Sequence, residues 1–360
     1  MEGVEYVRDY ESARAILLDK SLLQAGAGAD RVDVSDPEKT PVFFLDGAPH
    51  RQKRANIARF FTQKAINERY QAIIDRETSR LLGQLRRDGK ARLDIISFEL
   101  TVAVAANIVG LTNSDVPRMA RRLARILAAT SYRKRASLQR LKIGLGKTVS
   151  ALGFYARDVL PALRARRQEP ADDLLSELIA KRAPLKTIMI ECMTYAAAGM
   201  VTTREFIVMA AWHLFDNPEL RADFLAGDEA RQFAILNEIL RIEPIASVLM
   251  RRSRGAPGGD VTYGLDIRAV NTDEEAVGAC PASVDPERPE KTRSNGAFLS
   301  FGAGAHHCPG KQVALHETRI FIDALLRVPG VRLERAPEVG WSEALMSYEL
   351  RDAVVACDRA

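Results

Sequence analysis

The chain has 360 residues, 47% of them hydrophobic and 28% charged, with a formal net charge of +5; this balance suits a globular protein and excludes a disordered tail, a collagen and a transmembrane bundle. Aromatic residues make up only 6% and are not interleaved with basic runs, so no nucleic-acid groove is expected. Cys192, Cys280, Cys308 and Cys357 lie far apart with no C-x-x-C pair, so no disulfide framework is expected and a reducing, cytoplasmic setting is the natural one.

The first residues have neither a basic n-region nor an apolar h-region and do not read as a signal peptide. Val4–Val7 reads as a strand, and Asp9 as the N-cap of a helix carrying Ala13, Ile16 and Leu17 at helical spacing. Residues 26–41, rich in Gly, Asp and Pro, read as a long loop. A basic helix is expected from about His50, with Ile57, Phe60 and Phe61 on one side. Further helices are expected near 65–88, 93–111, 114–129 and 146–167. The stretch 95–111 is the most apolar, yet it is too short to span a bilayer and contains Glu99 and Asn107. It reads as a buried helix, with no membrane contact. Residues 131–142 carry Arg133, Lys134, Arg135, Arg140 and Lys142, which read first as a solvated helix face or loop and second as a binding patch.

The longest helical segment is expected over 184–215. It has few charges and many small residues in its middle, as suits a helix at the centre of a large protein. Asp216-Asn217-Pro218-Glu219 stops it and starts the next helix, with Pro at the first helical position. Later strand signals are confined to 261–270 and 344–356. The expected fold is mainly α, a single domain over 1–360 with small peripheral sheets.

Chemistry concentrates in Phe301-Gly302-Ala303-Gly304-Ala305-His306-His307-Cys308-Pro309-Gly310. Glycines let a backbone approach something large and flat. Cys308 is delivered to the start of a helix expected over 310–326, where backbone N–H groups favour a thiolate. That suits one sulfur on a metal whose other ligands are not protein. Three plainer readings stand beside it. A Gly-rich turn can hold phosphate, but G-x-G-x-x-G and a Walker lysine are both absent. Zinc on His306, His307 and Cys308 suffers from adjacent ligands. A lone cysteine can also be buried and inert.

The pattern F-G-x-G-x-H-x-C-x-G resembles, at all six fixed positions, the haem-binding loop of the cytochrome P450 superfamily, in its soluble bacterial type. The resemblance implies haem b as cofactor and Cys308 as its axial thiolate. It implies that His306 binds a propionate and that Phe301, Gly302 and Gly310 shape the loop. Glu238-Ile239-Leu240-Arg241 matches E-x-x-R, a structural ion pair at i, i+3. Arg251 matches a propionate-binding cation, with Arg252 the competing choice of register. His50 and Arg54 match H-x-x-x-R, whose members share one helix face and clamp the other propionate.

Residues 198–203, Ala-Gly-Met-Val-Thr-Thr, resemble A-G-x-[D/E]-T-[T/S], the family's oxygen-binding segment. There Gly199 leaves room for a ligand. Thr202, with Thr203 beside it, supports oxygen activation and proton relay. A Thr202 hydroxyl bonded to the Ala198 carbonyl would open the helix locally. The usual acid is replaced by Val201, so ordinary proton delivery is not expected from that position. Two further departures are a short beginning, with the Val4–Val7 strand directly before the family's second helix, and a short 252–261 segment. Both lead to the expectation of a reduced sheet.

The matching pocket positions are small or apolar: Ala196, Ala197, Met200, Ile245, Ala246, Val248, Leu345 and Met346, with Ser247 and Thr203 as polar exceptions. The resemblance thus implies a monooxygenase for a bulky, mainly apolar small-molecule substrate, possible in secondary metabolism. It would use dioxygen and electrons from a ferredoxin or flavodoxin with its reductase. Arg51, Lys53, Arg59 and Lys311 are expected to offer that partner a basic face. The alternatives are a haem enzyme of atypical chemistry (peroxide-driven oxidation, oxidative coupling or nitric oxide reduction) and a non-catalytic haem-binding protein.

Overall fold

Apolar residues at helical spacing dominate the chain, and helices accordingly build most of the structure. A computed structural model describes residues 3–26, 29, 32–127, 137–255, 259–292, 296, 298–343 and 345–359. The basic residues Arg133, Lys134 and Arg135 lie outside the described residues, as do the side chains of Arg140 and Lys142.

Strand β1 (Val4–Val7) leads into α1 (Tyr10–Leu18), β2 (Leu23–Ala25), α2 (Gly47–Ala58), α3 (Gln63–Ala65) and α4 (Gln71–Asp88). Next come β3 (Lys90–Arg92), α5 (Leu93–Val109), α6 (Val116–Leu127), α7 (Ser137–Phe154), α8 (Leu160–Gln168) and α9 (Leu174–Ala180). Helices α10 (Leu185–Tyr195) and α11 (Thr202–Asp216) are joined through a π-helical turn, Ala196–Val201, into one central helix. Then follow α12 (Pro218–Ala226), α13 (Glu229–Ile242), β4 (Val248–Arg252), β5 (Thr262–Asp266), α14 (Ile267–Asn271), α15 (Glu274–Val277) and α16 (Arg288–Thr292). The chain closes with α17 (Lys311–Leu326), β6 (Arg332–Arg335), β7 (Glu338–Ser342), β8 (Ser347–Arg351) and β9 (Val354–Ala356).

The predicted caps form. The Asp9 carboxylate accepts the Ser12 N–H at 2.8 Å, and Asn217 accepts the Leu220 N–H at 3.0 Å, with Pro218 opening α12. The apolar stretch predicted as a buried helix is α5, whose Leu100 and Val104 sit in the main core with Ile207 and Leu214 of α11, Ile239 of α13 and Phe321 of α17. Burying such side chains supplies roughly 1.5–3 kcal/mol each before chain entropy is subtracted. No helix among the described residues is long and apolar enough to cross a membrane.

The sheet beside the loop is fuller than expected. It has four strands in the order β1-β5-β4-β2, with β1 parallel to β5 and the other pairs antiparallel. The sequence reading missed β2 and β4 because both are short and set off from any alternating pattern. It also ran a strand over 261–270, whereas β5 ends at Asp266. There the carboxylate accepts the Ala269 N–H at 3.3 Å and starts α14. Pairing sets Arg251 opposite Gln24 on one side and Tyr263 on the other. The C-terminal hairpin β7–β8 is pinned to the central helix by Glu205, which is fully buried and accepts from Arg204, from Arg351 at 2.7 Å and from the Leu350 N–H at 2.8 Å.

Candidate active site

Cys308 stands where the Gly-rich loop enters α17. Gly302 and Gly304 both have φ of +68°, a left-handed backbone that favours glycine. At Gly304 a side chain would also strike the Leu17 carbonyl. The loop closes on itself through the Cys308 N–H, which donates to the Phe301 carbonyl at 2.9 Å. Burial pushes the Cys308 thiol up, while the N–H groups of Gly310 and Lys311, together with Arg54, favour the thiolate. The backbone N–H groups thus act on the sulfur in the expected direction, but burial outweighs them. A cation resting on the sulfur would reverse the balance.

Four cationic or ionisable side chains gather beside this loop. His50 of α2 is buried, and its ring stacks on His306 with centroids 4.1 Å apart. Burial drives the His50 pKa down to about 4, so this ring is neutral at pH 7. Arg54, one turn along α2, donates to the His307 carbonyl at 2.7 Å and lies within electrostatic reach of both Cys308 and Tyr195. Buried Arg251 donates to Gln24 Oε1 at 2.6 Å; Arg252, one residue on, is only half-buried. His306 Nε2 meets Asp46 Oδ1 at 2.9 Å. Burial pushes the Asp46 carboxyl up, but the bonds from His306 and the Gln24 N–H outweigh it and hold the pKa below its usual value. Asp46 was missed in the sequence; its place directly before α2 was the only signal.

Behind the loop, Arg241 pairs with Glu238 through bonds of 2.7 and 3.0 Å. Arg288 joins the pair, donating to Glu238 at 3.1 Å. Arg241 also donates to the carbonyls of Asn271, Pro281 and Ser283. The pair thereby ties α13 to the segment leading back to the loop. Arg288 carries no local sequence signal, since it lies 50 residues from Glu238.

On the central helix, the Thr202 hydroxyl donates to the Ala198 carbonyl at 2.7 Å. Thr101 of α5 donates to the Met200 carbonyl at 3.0 Å. The π turn frees carbonyls from the helix ladder, and these two hydroxyls satisfy them. Ala198 and Gly199 are exposed, and a side chain built on Gly199 would meet nothing within 4 Å. Thr202 is partly exposed, whereas Thr203 is buried.

Of the pocket candidates, Ala197, Ala246, Val248 and Met346 are partly exposed. Ser347 bridges Ala246, and the Ser247 N–H donates to the Met346 carbonyl at 3.0 Å, drawing the C-terminal hairpin to this edge. Met200 is corrected: it is buried in a cluster with Met119, Leu123 and Phe154. Ala196 is buried in that cluster too, and Ile245 in the main core. The π turn points Ala196 and Met200 into packing. Val201 shares the cluster with Met200. The basic face is corrected as well. Lys53 turns inward to the Thr40 carbonyl and to Glu191. Arg59 pairs with Asp172 and Glu177, and Lys311 lies over the Phe301 ring. Only Arg51 of the four stands as a plain exposed cation.

The donor set fits a haem. One sulfur is held by backbone N–H groups, and His50, Arg54, Arg251 and His306 supply partners for two carboxylates. Open space lies over Gly199. Among the described residues no three His, Cys, Asp or Glu side chains converge as a metal cluster, so the loop does not build the zinc alternative.

A cytochrome P450 family model matches residues 233–328. The chain is 27% identical to nocardicin C N-oxygenase of Nocardia uniformis subsp. tsuyamanensis over 94% of this chain and 85% of that protein. It is 27% identical to the biotin biosynthesis cytochrome P450 of Bacillus subtilis (strain 168), over 91% and 84%. The crystal structure of CalO2 superposes with a TM-score of 0.77 at 22% identity, covering 98% of this chain and 90% of that one.

Proposed function

Because this chain belongs to the cytochrome P450 family, whose members hold haem b, we propose that it is a haem-thiolate monooxygenase of a bulky, mainly apolar small molecule. The observation that carries the reading is the convergence of His50, Arg54, Arg251 and His306 on the loop that presents Cys308. Cys308 would hold the haem iron through its sulfur, and the four side chains would hold the propionates. Bound there, the haem supplies the redox chemistry: dioxygen, two electrons and two protons put one oxygen atom into the substrate and the other into water.

The chain's own residues do the rest. Backbone N–H groups of Gly310 and Lys311 share the charge of the sulfur and tune it. Gly199 keeps space clear over the central helix, and Thr202 holds the turn open with a hydroxyl that can exchange protons there. Ala197, Ala246, Val248 and Met346 offer an apolar surface that favours an apolar ligand. A relative that is an N-oxygenase acting on nocardicin C supports a substrate of secondary metabolism. Electrons come from a ferredoxin or flavodoxin with its reductase.

The reduced protein exposed to carbon monoxide should show the red-shifted Soret band of a thiolate-ligated haem. Cys308→Ser and Cys308→His should lose that band while keeping the helical fold, because neither side chain donates charge as a thiolate does. Survival of the band in either variant would falsify the assignment.

A further inference from the structure

Charge is unevenly placed along the chain. Residues 116–157 hold eleven Lys and Arg and no Asp or Glu, while the rest of the chain holds 41 against 47. The net positive charge therefore arises wholly in one stretch, which begins with α6 and runs through α7. On α6, Arg118, Arg121 and Arg125 are exposed at i, i+3 and i+7, opposite the buried Met119, Ala120 and Leu123. Arg157, just past α7, is exposed as well.

Helix α7 supplies a second, independent observation. Leu145, Val149 and Leu152 stand 65%, 60% and 62% exposed, the highest values of any large apolar side chain among the described residues. At i, i+4 and i+7 they form one stripe, roughly 10 Å long at the α-helical rise. Ser150 and Phe154 are buried on the opposite side. A contiguous apolar stripe left in water marks a contact surface. Helices α6 and α7 pack on each other, with Arg122 running alongside Gly153. Their inner residues Met119, Leu123 and Phe154 join one core cluster. The cations of one helix and the stripe of the other therefore face outward from the same helix pair.

The chemistry of the face selects its occupant. A second copy of this chain would set cations against cations. A nucleic acid would leave the aliphatic stripe without a role, and among the described residues no exposed aromatic ring accompanies these cations for bases to stack on. An acidic protein would meet the cations, but it would have to supply a groove cut to the ridge. A fluid acyl layer receives any ridge, and its phosphates meet the cations.

We propose that the outer face of α6 and α7 is a peripheral docking surface for a bilayer of anionic phospholipid. Arg118, Arg121 and Arg125 meet the phosphates, and Leu145, Val149 and Leu152 dip into the acyl boundary, as in a helix lying in the interface plane. The contact is peripheral, since no helix among the described residues is long and apolar enough to cross a membrane. The docking stands independently of the monooxygenase reading. Where that reading also holds, the same helix pair packs on Met200 and Val201 of the π turn, so an apolar substrate dissolved in the bilayer is concentrated beside the proposed site.

The test uses the full-length holoprotein and extruded vesicles, either phosphatidylcholine alone or equal parts phosphatidylglycerol and phosphatidylcholine, with binding read by co-sedimentation. Wild type should bind the anionic vesicles at least about tenfold more tightly than the neutral ones, and about 0.5 M salt should release most of it. Arg121→Glu combined with Arg125→Glu should weaken binding by at least about tenfold. Arg86→Glu combined with Arg87→Glu makes the same charge change on exposed side chains of α4 and should leave binding within about twofold. Leu145→Ser combined with Leu152→Ser keeps every cation and should still cost at least about tenfold. All six positions are exposed, and matched circular dichroism and thermal midpoints check that each variant is folded. In Val149→Trp, read against the background of Trp212 and Trp341, the new indole should shift to the blue on anionic vesicles and be quenched by lipids brominated in the acyl chain. The proposal is overturned if wild type leaves anionic vesicles unbound at low salt, the result expected of a face made for an acidic protein. It is equally overturned if the two charge variants weaken binding alike, if the serine variant binds as wild type does, or if bound Val149→Trp keeps the emission of an indole in water.

Discussion

The Cys308 loop and the central-helix turn, the two parts of the proposed site, are built by opposite means. The loop side is specified by what it contains: a sulfur, two histidines, two arginines and a buried Glu238–Arg241–Arg288 triad, each with named partners. The helix side is specified by what it leaves out: a side chain at Gly199, an acid at Val201, and a regular hydrogen-bond ladder over Ala196–Val201. Polar groups out of water have to be paired, so the loop side tolerates few changes. A space lined by small residues can be altered at lower cost, and this is where specificity is free to vary.

The largest effect should come from the loop side. Arg241→Ala leaves Glu238 buried with one partner fewer and five bonds lost, a change typically costing about 3–5 kcal/mol. Chemical denaturation should show that loss, together with a fall in haem content. If Arg241→Ala keeps both stability and haem, the contrast between the two sides fails.

On the helix side, Val201→Asp tests whether restoring the family's acid restores its role. Val201 is 4% exposed among apolar neighbours, so burial should raise the new carboxyl's pKa and keep it protonated near pH 7. Stability should fall by about 1–3 kcal/mol, and coupling of electrons to product should not improve. A gain in coupling on an identified substrate would show that water already reaches this position.

A third measurement examines a buried acid on the loop side. Glu317 of α17 is buried with Oε1 unpartnered, and burial pushes its carboxyl from the usual 4.5 up to about 8. A raised carboxyl stabilises the fold fully below its unfolded pKa and loses that contribution as pH climbs toward the folded value. Wild type should therefore lose stability between about pH 4.5 and 8, for reasons that Glu317→Gln removes. The variant's Tm should exceed wild type by a few degrees at pH 8.5 and match it near pH 4.5. Parallel Tm curves across that range would reject the account.

The smallest effect should come from the exposed surface. With Lys53, Arg59 and Lys311 engaged within the molecule, Arg51→Glu alone should slow electron transfer from an acidic ferredoxin by less than about threefold, and only at low salt. A much larger, salt-sensitive loss would restore the basic face.

Local order was plain in the residues. Asp9, Asn217 and Pro218 mark helix ends by chemistry that acts within four residues. Apolar spacing located the buried α5 and the central helix, and Thr202 lies four residues from the Ala198 carbonyl it bonds. The Gly-rich loop was equally legible, since Gly302 and Gly304 at φ of +68° answer to a backbone demand written in one short segment.

Long-range order was not. The sequence alone determined the helical class, the cysteine loop, the i, i+3 pair of Glu238 and Arg241 and the i, i+4 pair of His50 and Arg54, because each depends on neighbours along the chain. Only the tertiary structure decided that Arg288 completes the triad from 50 residues away, that Asp46 takes His306, that β2 sets Gln24 against Arg251, and that Glu191 meets Lys53 at the wall of a cleft. It alone turned Met200 and Val201 into the core, because a π turn rotates side chains off the face that a regular helix would give them. Such contacts join residues that are distant in sequence, and burial and pairing energies are set by where the fold brings them together.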